Sequence, residues 1–260
     1  MTQFEPPGGP PQVKLVLAYD GTGFHGFAAQ RDVRTVEGEL AAALEKVLRH
    51  KVELSVAGRT DTGVHAWGQV VSFPADFGIE PDRVQFRLNG ILAPEVVVRS
   101  ASLAPHDFHA RYSTRSRTYR YTIVNHPVAD PFRARYAWWV DVPLDLRALR
   151  LASDPFVGAH DFAAFCRRGP AGTTTMRRVF RSEWSDLGDG LLRYEVTANA
   201  FCWQMVRALV GAIVDAGLGR RRPGEMLSIL RGRDRAVTGT VAPAHGLTLW
   251  SVDTGPEDDV

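Results

Sequence analysis

The residues best suited to chemistry lie in one polar stretch, Ala57-Gly58-Arg59-Thr60-Asp61-Thr62-Gly63-Val64-His65-Ala66. Arg59 comes two residues before Asp61, and a neighbouring cation favours the ionised form of a carboxyl group. A positioned, ionised aspartate can act as a nucleophile or as a base. This stretch is therefore the first candidate for a reactive site.

The segments on either side of this stretch are predicted to position it. Val52, Leu54 and Val56 alternate with polar residues, which predicts a half-buried strand, and residues 69–73 predict a second strand. Asp61 then lies in a loop at the end of a sheet, where a rigid scaffold commonly displays reactive groups.

Two other interpretations of Asp61-Thr62-Gly63 are open. Aspartate bonds nearby backbone amides and glycine accepts a positive φ, so the tripeptide, taken alone, is more typical of a structural turn than of catalysis. The same tripeptide is the aspartic-protease signature, whose chemistry needs two carboxylates that share one proton. Arg59 would disturb such a pair and the chain would have to act as a dimer, so a dimeric aspartic protease ranks last.

The composition is that of an ordinary soluble globular protein, with 45% hydrophobic and 23% charged residues and a net charge of +2. The apolar run from Leu209 to Leu218 is interrupted by Asp215 and does not reach membrane-spanning length. The N-terminus has no basic region followed by an apolar one, so we expect a cytoplasmic protein. Cys166 and Cys202 show neither a disulfide framework nor metal-ligand spacing and are expected to be buried thiols.

The first half of the chain is predicted to run β-α-β-β-α-β, the order of a split βαβ, ferredoxin-like unit. Its first strand, residues 13–19, continues into Asp20-Gly21-Thr22-Gly23-Phe24-His25-Gly26, which contains Gly-x-Gly-x-x-Gly. A dinucleotide site would need a helix that begins at these glycines. The predicted helix begins at Thr35 instead, so a glycine-rich turn is favoured over a dinucleotide site.

A strand around residue 119 combines aromatic rings with cations. Tyr119, Tyr121 and Ile123 share one face of the predicted strand, and Arg120 lies on the other. Rings for stacking and cations for the backbone are what a single-stranded or flipped-out RNA base requires. For Tyr121 an ordinary core position is favoured.

The remaining segments complete a second α+β half. The sequence predicts a helix over 144–152, a basic loop over 167–172, a hairpin over 179–198 and a helix that opens at 201–207. Arg207 is in the first turn of this last helix, where the helix dipole disfavours a cation. Its placement therefore predicts an anionic partner.

Read together, these segments resemble the tRNA pseudouridine synthase A family. The matches occur in the family's order and are Tyr19-Asp20-Gly21-Thr22, residues 59–66, Gly68-Gln69-Val70, Phe108-His109-Ala110-Arg111, Tyr119-Arg120-Tyr121, His160-Asp161-Phe162, Ala198-Asn199-Ala200-Phe201, Met205-Val206-Arg207 and His245-Gly246-Leu247. Each match alone is weak, whereas the ordered set is specific and covers nearly the whole chain.

The resemblance implies an α+β fold of two ferredoxin-like (RRM-like) halves that share a central, mostly antiparallel sheet flanked by helices. It implies a homodimer that isomerises uridine to pseudouridine at positions 38, 39 and/or 40 of the tRNA anticodon stem-loop, with no cofactor and no metal. The expected organisation is a disordered lead over 1–11, an N-terminal half with the Asp61 loop over 12–105, a C-terminal half over 106–253 and a flexible end over 254–260.

The resemblance also implies three catalytic residues. Asp61 matches the family's catalytic aspartate, and Arg207 matches the basic residue paired with it. Tyr119 matches the active-site tyrosine, which stacks on the uracil and is suited to proton transfer. The reaction breaks the N1–C1′ bond, rotates the uracil and joins C5 to C1′, so it needs a carboxylate, a base for the C5 proton and a closed pocket.

Three further contacts with the substrate are implied. Arg59 matches the arginine associated with base flipping, and Arg111 lies in a matched segment. Leu247 or Leu249 supplies an apolar contact, and the sequence does not choose between them.

A different class of function is a non-catalytic RNA-binding or RNA-folding protein on the same fold. The intact set of Asp61, Tyr119 and Arg207 argues against it, because a carboxylate among RNA phosphates does not help binding alone.

Overall fold

The computed structural model describes residues 9–169 and 172–255. Residues 1–8 of the predicted lead, residues 170–171 of the basic loop and residues 256–260 of the predicted flexible end lie outside the described part of the chain. No helix in the described part is long and apolar enough to cross a membrane.

The chain divides into two compact units. Unit 1 comprises the described residues of Met1–Arg115 together with those of Leu249–Val260. Unit 2 comprises the described residues of Ser116–Thr248.

Unit 1 contains an antiparallel sheet and two helices. Its elements are β1 (Gln12–Tyr19), α1 (Val36–Leu48), β2 (Ser55–Val56), β3 (His65–Pro74), α2 (Pro81–Leu92) and β4 (Val96–Ala104). Strand β1 lies between β4 and β3, and β2 pairs with β3. The strand predicted over 52–56 is shorter than expected because only Ser55 and Val56 pair, whereas β3 begins well before the predicted residue 69.

Alternation along β1 builds the main core of unit 1. Val13, Leu15 and Leu17 are fully buried on one face of the strand. The helices contribute buried apolar residues at helical spacing, namely Leu40 and Leu44 from α1 and Val84 and Leu88 from α2. A smaller cluster of Ala57, Val70 and Ala110, with Val16, Phe108 and Val252, involves the other face of β1.

The predicted helix start at Thr35 is confirmed. The Thr35 hydroxyl accepts a hydrogen bond from Gly38 N at 3.2 Å, which caps α1. Pro81 is the first residue of α2, where its fixed φ suits the helix and no N–H is needed.

Unit 2 combines strands with three helices. Its elements are β5 (Ser116–Asn125), β6 (Trp138–Val140), α3 (Leu146–Ser153), β7 (Gly158–Asp161), β8 (Met176–Asp186), β9 (Leu191–Ala198), α4 (Met205–Gly217) and α5 (Glu225–Gly232), and β10 (Leu247–Asp253) runs from this unit into unit 1. Strands β5, β9, β8 and β7 are antiparallel neighbours in that order, and β6 pairs parallel with β5. The predicted hairpin is confirmed as β8 and β9, whereas β6 and β7 were not predicted.

The two cysteines are not thiols as the sequence suggested. Cys166 and Cys202 form a disulfide, with Cα atoms 5.6 Å apart across 36 positions of sequence. The backbone N–H of Arg167 donates to the carbonyl of Trp203 at 2.8 Å and so joins the two segments next to the cysteines. This proximity comes from tertiary structure, which cysteine spacing alone does not reveal.

Candidate active site

The Asp61 loop in unit 1 is a tight turn that leads into β3. Asp61 is half-buried, and its carbonyl accepts from Val64 N at 3.1 Å. Gly63 has a φ of 76°, a left-handed conformation that favours glycine. The positive φ expected of the glycine is therefore present, and the turn fixes where the aspartate lies.

The residue before the aspartate anchors the loop to its surroundings. Thr60 is buried, and its hydroxyl lies 2.8 Å from the Tyr19 hydroxyl at the end of β1. Its carbonyl accepts from Phe27 N at 3.0 Å. Gln69 on β3 donates to the Gly58 carbonyl at 2.5 Å, which holds the start of the loop. Asp61 is thus carried on a backbone that is bonded on both sides.

The glycine-rich stretch between β1 and α1 is a packing surface for this loop. A Cβ atom at Gly21 would overlap the Val64 carbonyl oxygen. Gly26 has a φ of 87°, and a Cβ there would lie 2.9 Å from the Thr60 carbonyl oxygen. Residues 21–23 form a single 3-10 turn, so the glycines open no helix and the preference for a turn over a dinucleotide site is confirmed.

A buried histidine links the same two segments, and the sequence reasoning did not single it out. The N–H of Gly21 donates to Nδ1 of His65 at 3.0 Å. The Asp20 carboxylate lies 3.2 Å from that nitrogen and accepts from the Thr22 N–H and hydroxyl. His65 therefore orients the glycine turn against the Asp61 loop.

Arg59 lies in the same loop, two residues before Asp61. Its side chain is exposed and forms no ion pair with any residue in the described part of the chain. A charged group with this freedom is available for a ligand.

Arg111, the other substrate-binding candidate of unit 1, is also exposed. Its guanidinium carbon lies 5.6 Å from the centroid of the Tyr112 ring, and its backbone N–H donates to Nδ1 of His109 at 3.2 Å. Nε2 of His109 is 2.9 Å from the Ser55 hydroxyl, so His109 is a hydrogen-bonded loop residue.

The Asp-Thr-Gly tripeptide occurs a second time, at Asp253-Thr254-Gly255. The dimer required above of a protease assumed a single copy, and that assumption is wrong. There the Asp253 carboxylate accepts from Gly255 N at 2.9 Å, while its backbone carbonyl accepts from Arg115 N at 2.8 Å. This copy closes β10 with a local turn.

In unit 2, β5 presents the predicted face of aromatic rings. Tyr119 is 8% exposed and packs edge-on against Phe201, with ring centroids 5.0 Å apart. Tyr121 is fully buried and its hydroxyl donates to the Pro243 carbonyl at 2.8 Å, so the core position expected for it is confirmed. Burial raises the pKa of Tyr121 far above its usual value, although the charge of Arg207 opposes this.

Arg207 is held by a short irregular segment, residues 240–242, that packs along α4. Its Nε donates to the Ala242 carbonyl at 2.7 Å, and its own carbonyl accepts from Ala242 N at 3.0 Å. Gly211, one turn further along α4, allows this approach because a Cβ there would overlap the Thr240 carbonyl oxygen. The terminal nitrogens of Arg207 form no hydrogen bond with the part of the chain that the structure describes.

The candidate residues are thus divided between the two units. Asp61, Arg59 and Arg111 belong to unit 1, and Tyr119, Arg207 and Leu247 belong to unit 2. Leu247 and Leu249 are both buried on β10. No three His, Cys, Asp or Glu side chains within residues 9–169 and 172–255 lie close enough together to hold a metal ion.

Comparisons with known proteins agree on one family. A family model for tRNA pseudouridine synthase matches residues 15–113 and 152–254. The tRNA pseudouridine synthase A of Brevibacillus brevis is 42% identical over 241 residues, which cover 93% of this chain and 98% of the relative. That of Bacillus subtilis is 36% identical over 243 residues, with the same coverage of 93% and 98%.

Among solved structures, an archaeal box H/ACA sRNP Nop10-Cbf5 complex aligns with a TM-score of 0.36 and 11% sequence identity. The alignment covers 78% of this chain and 44% of that chain. Five of the six candidate residues lie within the two ranges of the family match, whereas Tyr119 lies between them.

Proposed function

The chain belongs to the tRNA pseudouridine synthase family, whose members are isomerases that act on tRNA uridines, and we propose that Asp61 is its catalytic nucleophile. We further propose that the uridines it converts are those at positions 38, 39 and/or 40 of the anticodon stem-loop. The observation that carries this proposal is the Asp61 loop, in which Thr60 is anchored and Gly26 permits close backbone packing. A carboxylate on so constrained a backbone is preorganised for reaction.

The chemistry requires a carboxylate that is returned unchanged. Asp61 attacks either C1′ of the ribose or the uracil ring, and in both cases the N1–C1′ bond breaks and the uracil turns within the site. A bond then forms between C5 and C1′, the carboxylate leaves, and C5 loses its proton while N1 gains one. The product is an isomer of the substrate, so the overall reaction consumes neither water nor an oxidant.

Tyr119 and Arg207 are the proposed partners of Asp61. Tyr119 stacks on the uracil and moves a proton. The edge-on contact with Phe201 supports the stacking role, because it holds the Tyr119 ring in place. Arg207 pairs with the aspartate, a role supported by the way Ala242 holds Nε and leaves the terminal nitrogens for an anion.

Arg59, Arg111 and Leu247 are the proposed substrate contacts. Arg59 and Arg111 are exposed cations suited to phosphates and to a flipped base. Leu247 supplies an apolar surface, with Leu249 as the alternative on the same strand.

The architecture and setting are proposed with the activity. Two ferredoxin-like halves, over residues 12–105 and 106–253, are supported for the first half by the strand order β4-β1-β3-β2 and its two helices. A homodimer is proposed from the resemblance, and a cytoplasmic location from the tRNA substrate.

The positions can be tested with anticodon-arm transcripts that carry a single uridine at position 38, 39 or 40. Carbodiimide-dependent stops in primer extension report pseudouridine at each position. We expect stops with the wild-type protein at one or more of these positions and none with Asp61→Asn. Modification confined to uridines outside this segment would contradict the proposed site of action.

A further inference from the structure

A basic cluster in unit 2 has no part in the reaction described above. Arg235 opens a short 3-10 turn that follows α5, and its Nη2 donates to Oε1 of Gln204 at 3.0 Å. Its Nη1 is buried and has no hydrogen-bond partner in the described part of the chain. A buried donor without a partner is unfavourable, so this nitrogen calls for an acceptor.

A second guanidinium group lies near this one. Arg167 is exposed and sits over the indole of Trp203, with 5.8 Å from the guanidinium carbon to the ring centroid. Burial, and then the charge of Arg167, lower the pKa of Arg235, so the two cations repel one another. The Arg167 N–H bond to the Trp203 carbonyl and the adjacent disulfide hold Arg167 in place despite this repulsion.

The acidic side chains next to the cluster are engaged elsewhere. Asp234 accepts from Ala236 N at 2.9 Å, and Asp161 pairs with Arg233 at 3.1 Å. Neither Arg167 nor Arg235 forms an ion pair with any residue that the structure describes. An anion beside the two guanidinium groups would therefore offset their repulsion.

We propose that Arg167 and Arg235 bind one backbone phosphate of the RNA, while the indole of Trp203 stacks on a neighbouring base. Guanidinium groups suit phosphate because their paired donors match its oxygens. Trp203 is 52% exposed, which leaves ring surface for a base, and stacking of this kind accepts any base.

The phosphate subsite formed by Arg167, Trp203 and Arg235 adjoins the helix that carries Arg207. Trp203 and Gln204 come immediately before α4, and Arg207 lies in the first turn of that helix. The subsite therefore suits a nucleotide close to the reacting uridine. In this respect the inference rests on the proposed function, since the RNA is then the tRNA anticodon arm.

The test measures binding of a fluorescent anticodon-arm hairpin to the full chain over a range of salt concentrations. We expect Arg167→Gln and Arg235→Gln each to weaken binding by about 10-fold, because each removes a charge-assisted contact. Loss of one phosphate contact also makes the slope of log affinity against log salt shallower by about 0.7–0.9. We expect Trp203→Ala to weaken binding and Trp203→Phe to retain most of it.

Arg87→Gln is the matched control, since Arg87 is an exposed arginine on α2 in unit 1 and its loss changes the net charge equally. Circular dichroism checks folding, and the exposed Arg167 keeps the test meaningful if Arg235→Gln folds poorly. Affinities and salt slopes of both cluster variants equal to those of Arg87→Gln would overturn the subsite. Wild-type pseudouridine formation is measured in parallel, so failure of the reaction itself would be seen separately from failure of the subsite.

Discussion

Glycine-to-alanine substitutions are expected to change stability in opposite directions at Gly211 in α4 and at Gly90 in α2. A Cβ atom at Gly211 would overlap the Thr240 carbonyl oxygen and lie 2.8 Å from its carbon and 3.3 Å from Ala242 N. At Gly90 in α2, a Cβ would meet nothing within 4 Å. Alanine is favoured over glycine in a helix interior by about 1 kcal/mol. We therefore expect Gly90→Ala to raise the free energy of unfolding by about 0.5–1 kcal/mol.

At Gly211 the same propensity gain is opposed by a backbone collision. Relief of the overlap requires α4 and the segment 240–242 to separate by about 1 Å or more in a close-packed interior. Overpacking costs about 1–3 kcal/mol and more where backbone must move, so Gly211→Ala should lower the free energy of unfolding by about 2 kcal/mol. The separation also lengthens the 2.7 Å bond from Arg207 to Ala242, so pseudouridine formation should fall as well.

Urea denaturation followed by tryptophan fluorescence measures both free energies, and tritium release from uridine C5 measures activity. A Gly211→Ala protein as stable and as active as the wild type would refute the packing argument. A Gly90→Ala protein less stable than the wild type would refute the use of helix propensity at an open site.

Three further predictions concern single contacts. Tyr121→Phe leaves the Pro243 carbonyl without its partner and should lower the free energy of unfolding by about 1–2 kcal/mol, as measured by urea denaturation. The hydrogen bond to Asp76 raises the pKa of His50 above about 6.5, so its stabilising contribution is complete below that pH and is lost as the pH rises through the folded-state pKa. NMR titration should show this raised pKa, and Asp76→Asn should return it towards the ordinary value. Cys166→Ser removes the disulfide and should lower the free energy of unfolding of the oxidised protein by up to about 4 kcal/mol, as measured by urea denaturation. A reduced wild-type protein with the same free energy of unfolding as the oxidised one would contradict this.

The sequence predicted correctly those helices and strands that depend on interactions between residues close together in the chain. Thr35 capped a helix because its hydroxyl needs only the amide of Gly38, and the mostly apolar strand over residues 13–19 needs only a core to pack against. The strand predicted over 52–56 was too long because pairing, which depends on a distant partner, extends only over Ser55 and Val56. Strand β6 escaped prediction for the same reason.

The site was predictable in its parts and not in its assembly. The sequence indicated both the Asp61 loop and the glycine-rich turn. Their close contact is possible only because Gly21 has no Cβ, which would overlap the Val64 carbonyl oxygen, and no local pattern shows this. The pairing of Cys166 with its partner and the position of Arg235 against Gln204 are likewise set by tertiary packing.

In the proposed mechanism, Asp61 performs the isomerisation. Proton release from uridine C5 measures the reaction directly, with anticodon-arm tRNA transcripts tritiated at that carbon. The variants to compare are Asp61→Asn and, as a matched control, Asp82→Asn, which alters an exposed carboxylate on α2. Urea denaturation shows whether each variant is folded.

We expect tritium release by the wild type and by Asp82→Asn at similar rates, and none by a folded Asp61→Asn protein. Release by Asp61→Asn at the wild-type rate would contradict the role of this residue. The absence of release by the wild type from every transcript with uridine at positions 38 to 40 would contradict the proposed reaction at these positions.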